Sequence, residues 1–221
     1  MHPNTTSATA PAKPRKYARG EARREQILVE AVRFFAEVGF EGQTRELAKR
    51  IGITHTTLYR HFENKEALVE AVYQRVYLDR WNPDWDNLIT DRNRPLESRL
   101  QDFYVQYAER VFDYEWVRIF MFSGLMENGL TTRYLTIIRD KVILPVLAEL
   151  TELKFIESTT ESQSEHEEAL WALHGGIFYI AIRRYVYRFG AQEHSEAFIR
   201  KTVLHYLNSL RGGAQLKRTY V

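Results

Sequence analysis

Apolar residues recur at helical spacing along most of this chain. Ile27, Leu28, Ala31, Phe34, Phe35 and Val38 mark one face of a helix that begins near Gly20, and Gly39 stands where a C-terminal cap belongs. A short apolar set follows, Leu47, Ala48 and Ile51, closed by Gly52; Thr54 then occupies an N-cap position ahead of Leu58, Tyr59 and Phe62. Two very short helices joined by a glycine-containing turn make a helix-turn-helix pattern. Asn64 is placed to cap a longer helix carrying Leu68, Ala71, Val72 and Val76 and running to about Arg80.

Residues 81–95, with Pro83, Pro95, several Asp and Asn, and the turn-like Asp91-Arg92-Asn93-Arg94, read as a linker, which puts a domain boundary near Asp79. Helical patterns resume at about 95–113, 115–127, 131–153, 163–189 and 194–211, and no alternating stretch supports a strand. The expected fold is all-α, with about nine helices: a flexible basic arm over 1–19, a three-helix helix-turn-helix unit over 20–79 and a larger helical unit over 80–221.

Composition narrows the chemistry. With 221 residues, 44% of them apolar, the chain can bury a substantial core. It has no cysteine, so disulfides, thiolate metal sites and cysteine nucleophiles are excluded and nothing demands an oxidising compartment. No stretch has the length of a membrane span or of a secretory signal, so the expectation is a cytoplasmic protein with no membrane partner. The net charge of +2 hides an asymmetry: residues 1–65 carry +5 and the remainder −3. The basic end is the candidate for a polyanion. Lys13, Arg15, Lys16 and Arg19 precede the first acidic residue, Glu21, in a stretch suited either to DNA phosphates or to simple solubilisation.

An enzyme is not indicated. The segment His166-Glu167-Glu168-Ala169-Leu170 echoes a zinc-protease motif but has Leu where the second His is required. There is no glycine-rich phosphate loop and no nucleophile elbow, and neither a cofactor nor a metal is called for.

Residues 39–68, GFEGQTRELAKRIGITHTTLYRHFENKEAL, resemble the TetR-family DNA-binding domain almost position by position, and the likeness runs from Arg23 to about Val76. Ala48 is small where two short helices cross, and Gly52 suits the turn. Thr54 is the N-cap of the recognition helix, which puts His55, Thr56 and Thr57 on its exposed first turn, where base edges are normally met. The resemblance implies phosphate or base contacts for Tyr59, His61 and Lys65 and a guanine contact for Arg45; Thr44 beside Arg45 is a candidate for phosphate and Arg60 for the interface, and solvation or capping is the plain alternative for each. Gln43 departs from the Ser or Thr common in the family and is a weaker cap, which leaves the start of the second helix open.

The resemblance also implies a C-terminal sensor for a small apolar or aromatic ligand, a homodimer, and release of double-stranded operator DNA when the ligand binds. Between Phe103 and Met126 lie eight aromatic residues, which either fill a core or line a cavity. Candidate pocket residues are Tyr104, Tyr107, Trp116, Phe120, Met121, Met126, Glu127, Trp171, His174 and Phe178, and Arg118 and Arg133 are further polar candidates. Pro145 is expected to kink its helix and shape a cavity. Gly175 and Gly176 in mid-helix cost about 1 kcal/mol each relative to Ala, which a close helix would offset. Leu170, Leu173, Gly175, Gly176, Ile177, Ile180, Ile199, Val203, Tyr206 and Leu207 are the dimer-interface candidates. The alternative is a dimeric DNA-binding regulator without small-molecule control.

Overall fold

The computed structural model describes residues 15–126, 129–190 and 196–219, and among these every regular element is helical. Helices α1 (Arg15–Val38), α2 (Thr44–Ile51), α3 (His55–Tyr59) and α4 (Lys65–Tyr73) come first, and α4 continues into a π-helical turn, Gln74–Leu78. Then follow α5 (Asp84–Thr90), α6 (Leu96–Val111), α7 (Tyr114–Leu125) and α8 (Leu130–Ile138). A second π-helical turn, Arg139–Ile143, leads into α9 (Leu144–Glu152), and α10 (Thr160–Tyr185) and α11 (Glu196–Thr219) complete the chain.

Helix α1 organises the N-terminal end. Its expected stripe is buried at Ile27, Leu28, Ala31, Phe34 and Phe35, and it packs on α2, α4 and α7. Val38 departs from that stripe and is exposed. Gly39 caps α1 at φ 79°, donating its N–H to Phe35 O at 2.9 Å. A Cβ there would also come within 3.0 Å of the Phe122 ring on α7. Gly52, at φ 74°, makes the left-handed turn that separates α2 from α3. The basic arm is shorter than expected, because α1 starts at Arg15; residues 1–14, with Lys13, lie outside the described part.

The supposed linker contains a helix. In α5, Trp85 and Ile89 are buried, the Trp85 ring meets Trp81 and Phe103 edge-on, and Trp85 Nε1 donates to Gln106 Oε1 at 3.1 Å. Seven residues rich in Asp and Asn give no periodicity to read; Trp85, packed on α6 and flanked by Trp81, orders them. Pro145 follows a second π-helical turn. It sits in the first turn of α9 just after the wider π turn, which relieves the ring's clash with the preceding carbonyl.

Beyond α5 the core is aromatic. Trp116 stacks on Phe120 with centroids 5.1 Å apart, and Tyr134 donates to Tyr107 through a buried 2.9 Å hydroxyl pair. The π turn after α4 brings Tyr73, Val76 and Tyr77 all inward, and Tyr77 meets Trp116 and Tyr134.

One buried ion pair ties this part together. Arg99, 1% exposed, donates to Glu149 Oε1 and Oε2 at 2.5 and 2.7 Å, to Arg94 O at 2.9 Å and to Ile89 O, joining α5, α6 and α9. Arg92 approaches the same carboxylate from the surface. Arg99→Ala leaves the buried Glu149 with only the more exposed Arg92, so it is expected to cost about 3 kcal/mol in urea unfolding, with Arg99→Met plus Glu149→Leu recovering most of it. A double variant as unstable as the single one would show that the pair contributes more than mutual neutralisation.

His174 generates a second expectation. Burial pushes its pKa down from 6.5 to about 4. The unfolded chain therefore takes up a proton that the folded one refuses as pH falls from about 6.5 to 4. Stability should fall over that window by up to about 3 kcal/mol on this account. The difference between wild type and His174→Phe, followed by denaturant unfolding at several pH values, should carry that slope; parallel curves would exclude it.

Candidate nucleic-acid interface and sensor core

The helix-turn-helix is assembled from local caps and a shared core. Leu47, Ala48, Leu58 and Phe62 are buried beneath α2 and α3. Thr54 caps α3 as expected, accepting from Thr57 N at 3.1 Å and pairing with Thr57 Oγ1 at 2.8 Å. Asn64 caps α4, accepting from Ala67 N at 2.7 Å. Helix α2 begins at Thr44; Gln43 stands at its N-cap in extended conformation and makes no side-chain cap bond.

Outward from this frame lie Arg45, Thr56 and Arg60, all exposed, with His55, Thr57, Tyr59, His61 and Lys65 half-buried. Arg45, Arg60 and Lys65 make no ion pair among the described residues, so their charges remain available to a polyanion. Burial, then the neighbouring cations Arg60, Arg23 and Arg24, hold the His61 pKa below its usual value, which keeps its imidazole neutral at pH 7. Thr44 differs from the rest. It is buried, and its hydroxyl lies 3.0 Å from His55 Nε2 and 2.9 Å from Tyr59 Oη.

Behind the surface, Arg50 grips Glu37 with two bonds of 2.5 and 2.8 Å, tying α2 to α1. Spacing offers no sign of this pair, because its members lie on different helices. Two arginines expected to read a ligand are also tied to the helix-turn-helix end. Arg118 on α7 donates to Ala36 O at 2.6 Å and Glu37 O at 3.2 Å, capping α1, and Arg133 on α8 pairs with Glu70 on α4 at 2.7 and 2.9 Å.

The sensor candidates Tyr104, Tyr107, Trp116, Phe120, Trp171, His174 and Phe178 belong to one network of ring contacts. His174 meets Tyr104, Tyr107 and Trp171 at 5.6–5.9 Å, while Trp116, Phe120 and Phe178 meet one another at 5.1–5.7 Å. Met121 is half-buried on α7. Met126 lies apart from them, on a cleft of about 370 Å³ shared with Phe40, Lys65, Val69, Leu130 and Arg133. Glu127 lies outside the described residues. Tyr77 Oη, Tyr104 Oη, Trp116 Nε1, His174 Nδ1 and Tyr206 Oη are buried without a hydrogen-bond partner among the described residues.

Most of the dimer candidates face inward. Leu170, Leu173, Ile177, Ile180, Ile199, Val203 and Leu207 are buried within the protomer, and Tyr206 is half-buried against its core. Helices α10 and α11 carry apolar residues on more than one face, so periodicity alone chose the stripe that packs inside. Gly175 and Gly176 do face outward, with open space where a Cβ would stand, and exposed Tyr179, Tyr187, Phe189 and Phe198 lie on or beside these helices.

A short helix capped by Thr54, flanked by exposed Arg45 and Arg60 and set on a larger helical body, has the form of a helix-turn-helix unit. Residues 27–72 match the family model of bacterial regulatory proteins, tetR family, and over this segment the chain is similar to that family. It is 44% identical over 50 residues to the tetracycline repressor protein class C of Escherichia coli, covering 22% of this chain and 23% of that one. It is 35% identical over 78 residues to the HTH-type transcriptional repressor KstR2 of Mycolicibacterium smegmatis, covering 35% and 38%. These matches span less than half the length of either relative. The fold is shared more widely. A tetR-family regulator from Streptomyces coelicolor superposes with a TM-score of 0.58 at 20% identity over 89% of this chain and 83% of that one. One from Pseudomonas syringae pv. tomato does so with 0.57 at 16% identity over 86% and 95%.

The empty cap at Gln43 is directly testable. Gln43→Ser should supply the missing acceptor and stabilise the protein by about 0.5–2 kcal/mol in chemical denaturation. An unchanged midpoint would mean that α2 owes its start to packing alone.

Proposed function

We propose that this protein is a repressor that binds a near-palindromic operator as a homodimer and releases it when a small molecule enters the helical body. The observation that carries the reading is the surface of α2 to α4, where Arg45 in the first turn of α2, Arg60 at the end of α3 and Lys65 at the start of α4 make no ion pair among the described residues. The relatives it matches are repressors, and the reading needs no active site.

Dimerisation is supported by the outer face of α10 and its neighbourhood. Tyr179 is 50% exposed, Tyr187 58%, Phe189 70% and Phe198 50%, a concentration of aromatic surface that a second copy would cover, and the open glycines allow close approach. Two-fold pairing would set the recognition helices about 34–36 Å apart, one turn of duplex.

Ligand control is supported by the five unpartnered polar groups in the aromatic core, since each such group costs about 1–3 kcal/mol when buried alone. A bound molecule offering hydrogen bonds there would act on two routes to the helix-turn-helix. One runs from Trp116 and Tyr77 along the π turn into α4. The other runs through Arg118 into the end of α1 and through Glu37 into Arg50 of α2. A coupling of about 1–3 kcal/mol per site would weaken operator binding about 5- to 150-fold. The close packing of Trp116, Phe120 and Tyr134 favours the alternative, a dimeric regulator with a filled core.

Selection of duplexes from a random pool by the purified protein should enrich a near-palindrome whose affinity falls steeply with salt, and Lys65→Ala should make the log–log salt slope shallower by about one. Failure to enrich any duplex over background would defeat the reading.

A further inference from the structure

Thr44, beside Arg45, is a candidate for a DNA phosphate, but its surroundings in this chain point to another task. It is 8% exposed, on the first turn of α2, and its one hydroxyl is shared between His55 Nε2 at 3.0 Å and Tyr59 Oη at 2.9 Å. The His55 and Tyr59 rings also meet edge to face, centroids 4.7 Å apart at 87°. The imidazole of the first residue of the recognition helix is thus held by a hydrogen bond and a ring contact.

Proton counting sets a direction. A threonine hydroxyl has one proton to give and two lone pairs, a tyrosine hydroxyl likewise has one proton, and phosphate oxygens only accept. If Tyr59 contacts the DNA backbone, as the proposed function requires, its proton goes to the phosphate and its oxygen must accept. Thr44 then donates its only proton to Tyr59 and accepts from His55. The Nε2 of a neutral His55 therefore carries the hydrogen, and Nδ1, which has no partner among the described residues, is left as a bare acceptor.

We infer that Thr44 is a positioning residue that fixes the tautomer of His55, and that His55 selects a base carrying an exocyclic amino group in the major groove. Only adenine N6 and cytosine N4 offer such a donor there; guanine and thymine present acceptors at the corresponding edge. This inference rests on the operator-binding reading and adds the identity of the contacted group. With the Thr44 proton committed inside the protein, no bond from Thr44 to phosphate remains.

The test uses the full-length protein and the duplex enriched from the random pool, at about pH 8, above the usual titration range of histidine. Each adenine or cytosine of a half-site is replaced in turn by purine or 2-pyrimidinone, which lack only the amino group, and affinities are measured for wild type and His55→Ala. One position should lose about tenfold with wild type and nothing with His55→Ala. Thr44→Val should abolish that discrimination while leaving the salt slope unchanged, and Thr44→Ser should restore it; circular dichroism and melting confirm that the variants are folded. A Thr44→Val affinity lowered by the same factor on every duplex, with the amino-group discrimination intact, would make Thr44 a phosphate ligand and overturn the inference. So would a His55-dependent contact to guanine N7 or O6, which requires the opposite tautomer. If no duplex is enriched, the operator-binding reading itself fails and the inference falls with it, an outcome distinct from a duplex that binds without amino-group dependence.

Discussion

The buried stripe of α1 is shared by three neighbours, and the geometry of the DNA-facing end depends on that sharing. Helices α2 and α3 have eight and five residues, too few to hold their own hydrogen bonds in water. They exist as helices because Leu47, Ala48 and Leu58 reach the core that Ile27, Ala31 and Phe35 begin, and because α4 and α7 close it from other sides. Any displacement of α1 must move the frame in which the recognition helix sits.

That dependence gives the arginine contacts their meaning. The last carbonyls of α1 have no partner within the helix, and Arg118 supplies one from α7. Glu37, whose carbonyl takes part in that contact, uses its side chain to hold Arg50 on α2. Gly39 completes the joint, its missing side chain leaving room for the Phe122 ring. A backbone cap, an ion pair and a close ring contact thus connect the helical body to the helix-turn-helix within a few residues, alongside the direct continuation of α4 into its π turn.

The aromatic body combines tight ring stacking with polar atoms left unsatisfied, and the two properties pull against each other. Stacked pairs such as Trp116 and Phe120 contribute favourable packing, whereas Tyr104 Oη, His174 Nδ1 and Tyr206 Oη contribute only desolvation. Burial keeps His174 neutral and the Tyr77, Tyr104, Tyr107 and Tyr206 hydroxyls protonated, so this interior presents neutral hydrogen-bonding groups. A core built for stability alone would have little use for them.

The sequence by itself determined the all-helical class, the two short helices with their glycine turn, and the caps at Thr54 and Asn64, because each is a local matter of periodicity, φ preference or one side chain reaching three residues along. Tertiary structure decided what local rules cannot reach. It turned the polar 81–95 stretch into α5 by pressing Trp85 into a core, and it sent Ile177 and Val203 inward although apolar residues mark several faces of their helices. It also took Arg118 and Arg133 to the helix-turn-helix end and joined the Thr44 hydroxyl to His55 and Tyr59. Those assignments depend on which distant atom a side chain meets, and spacing along one helix holds no record of it.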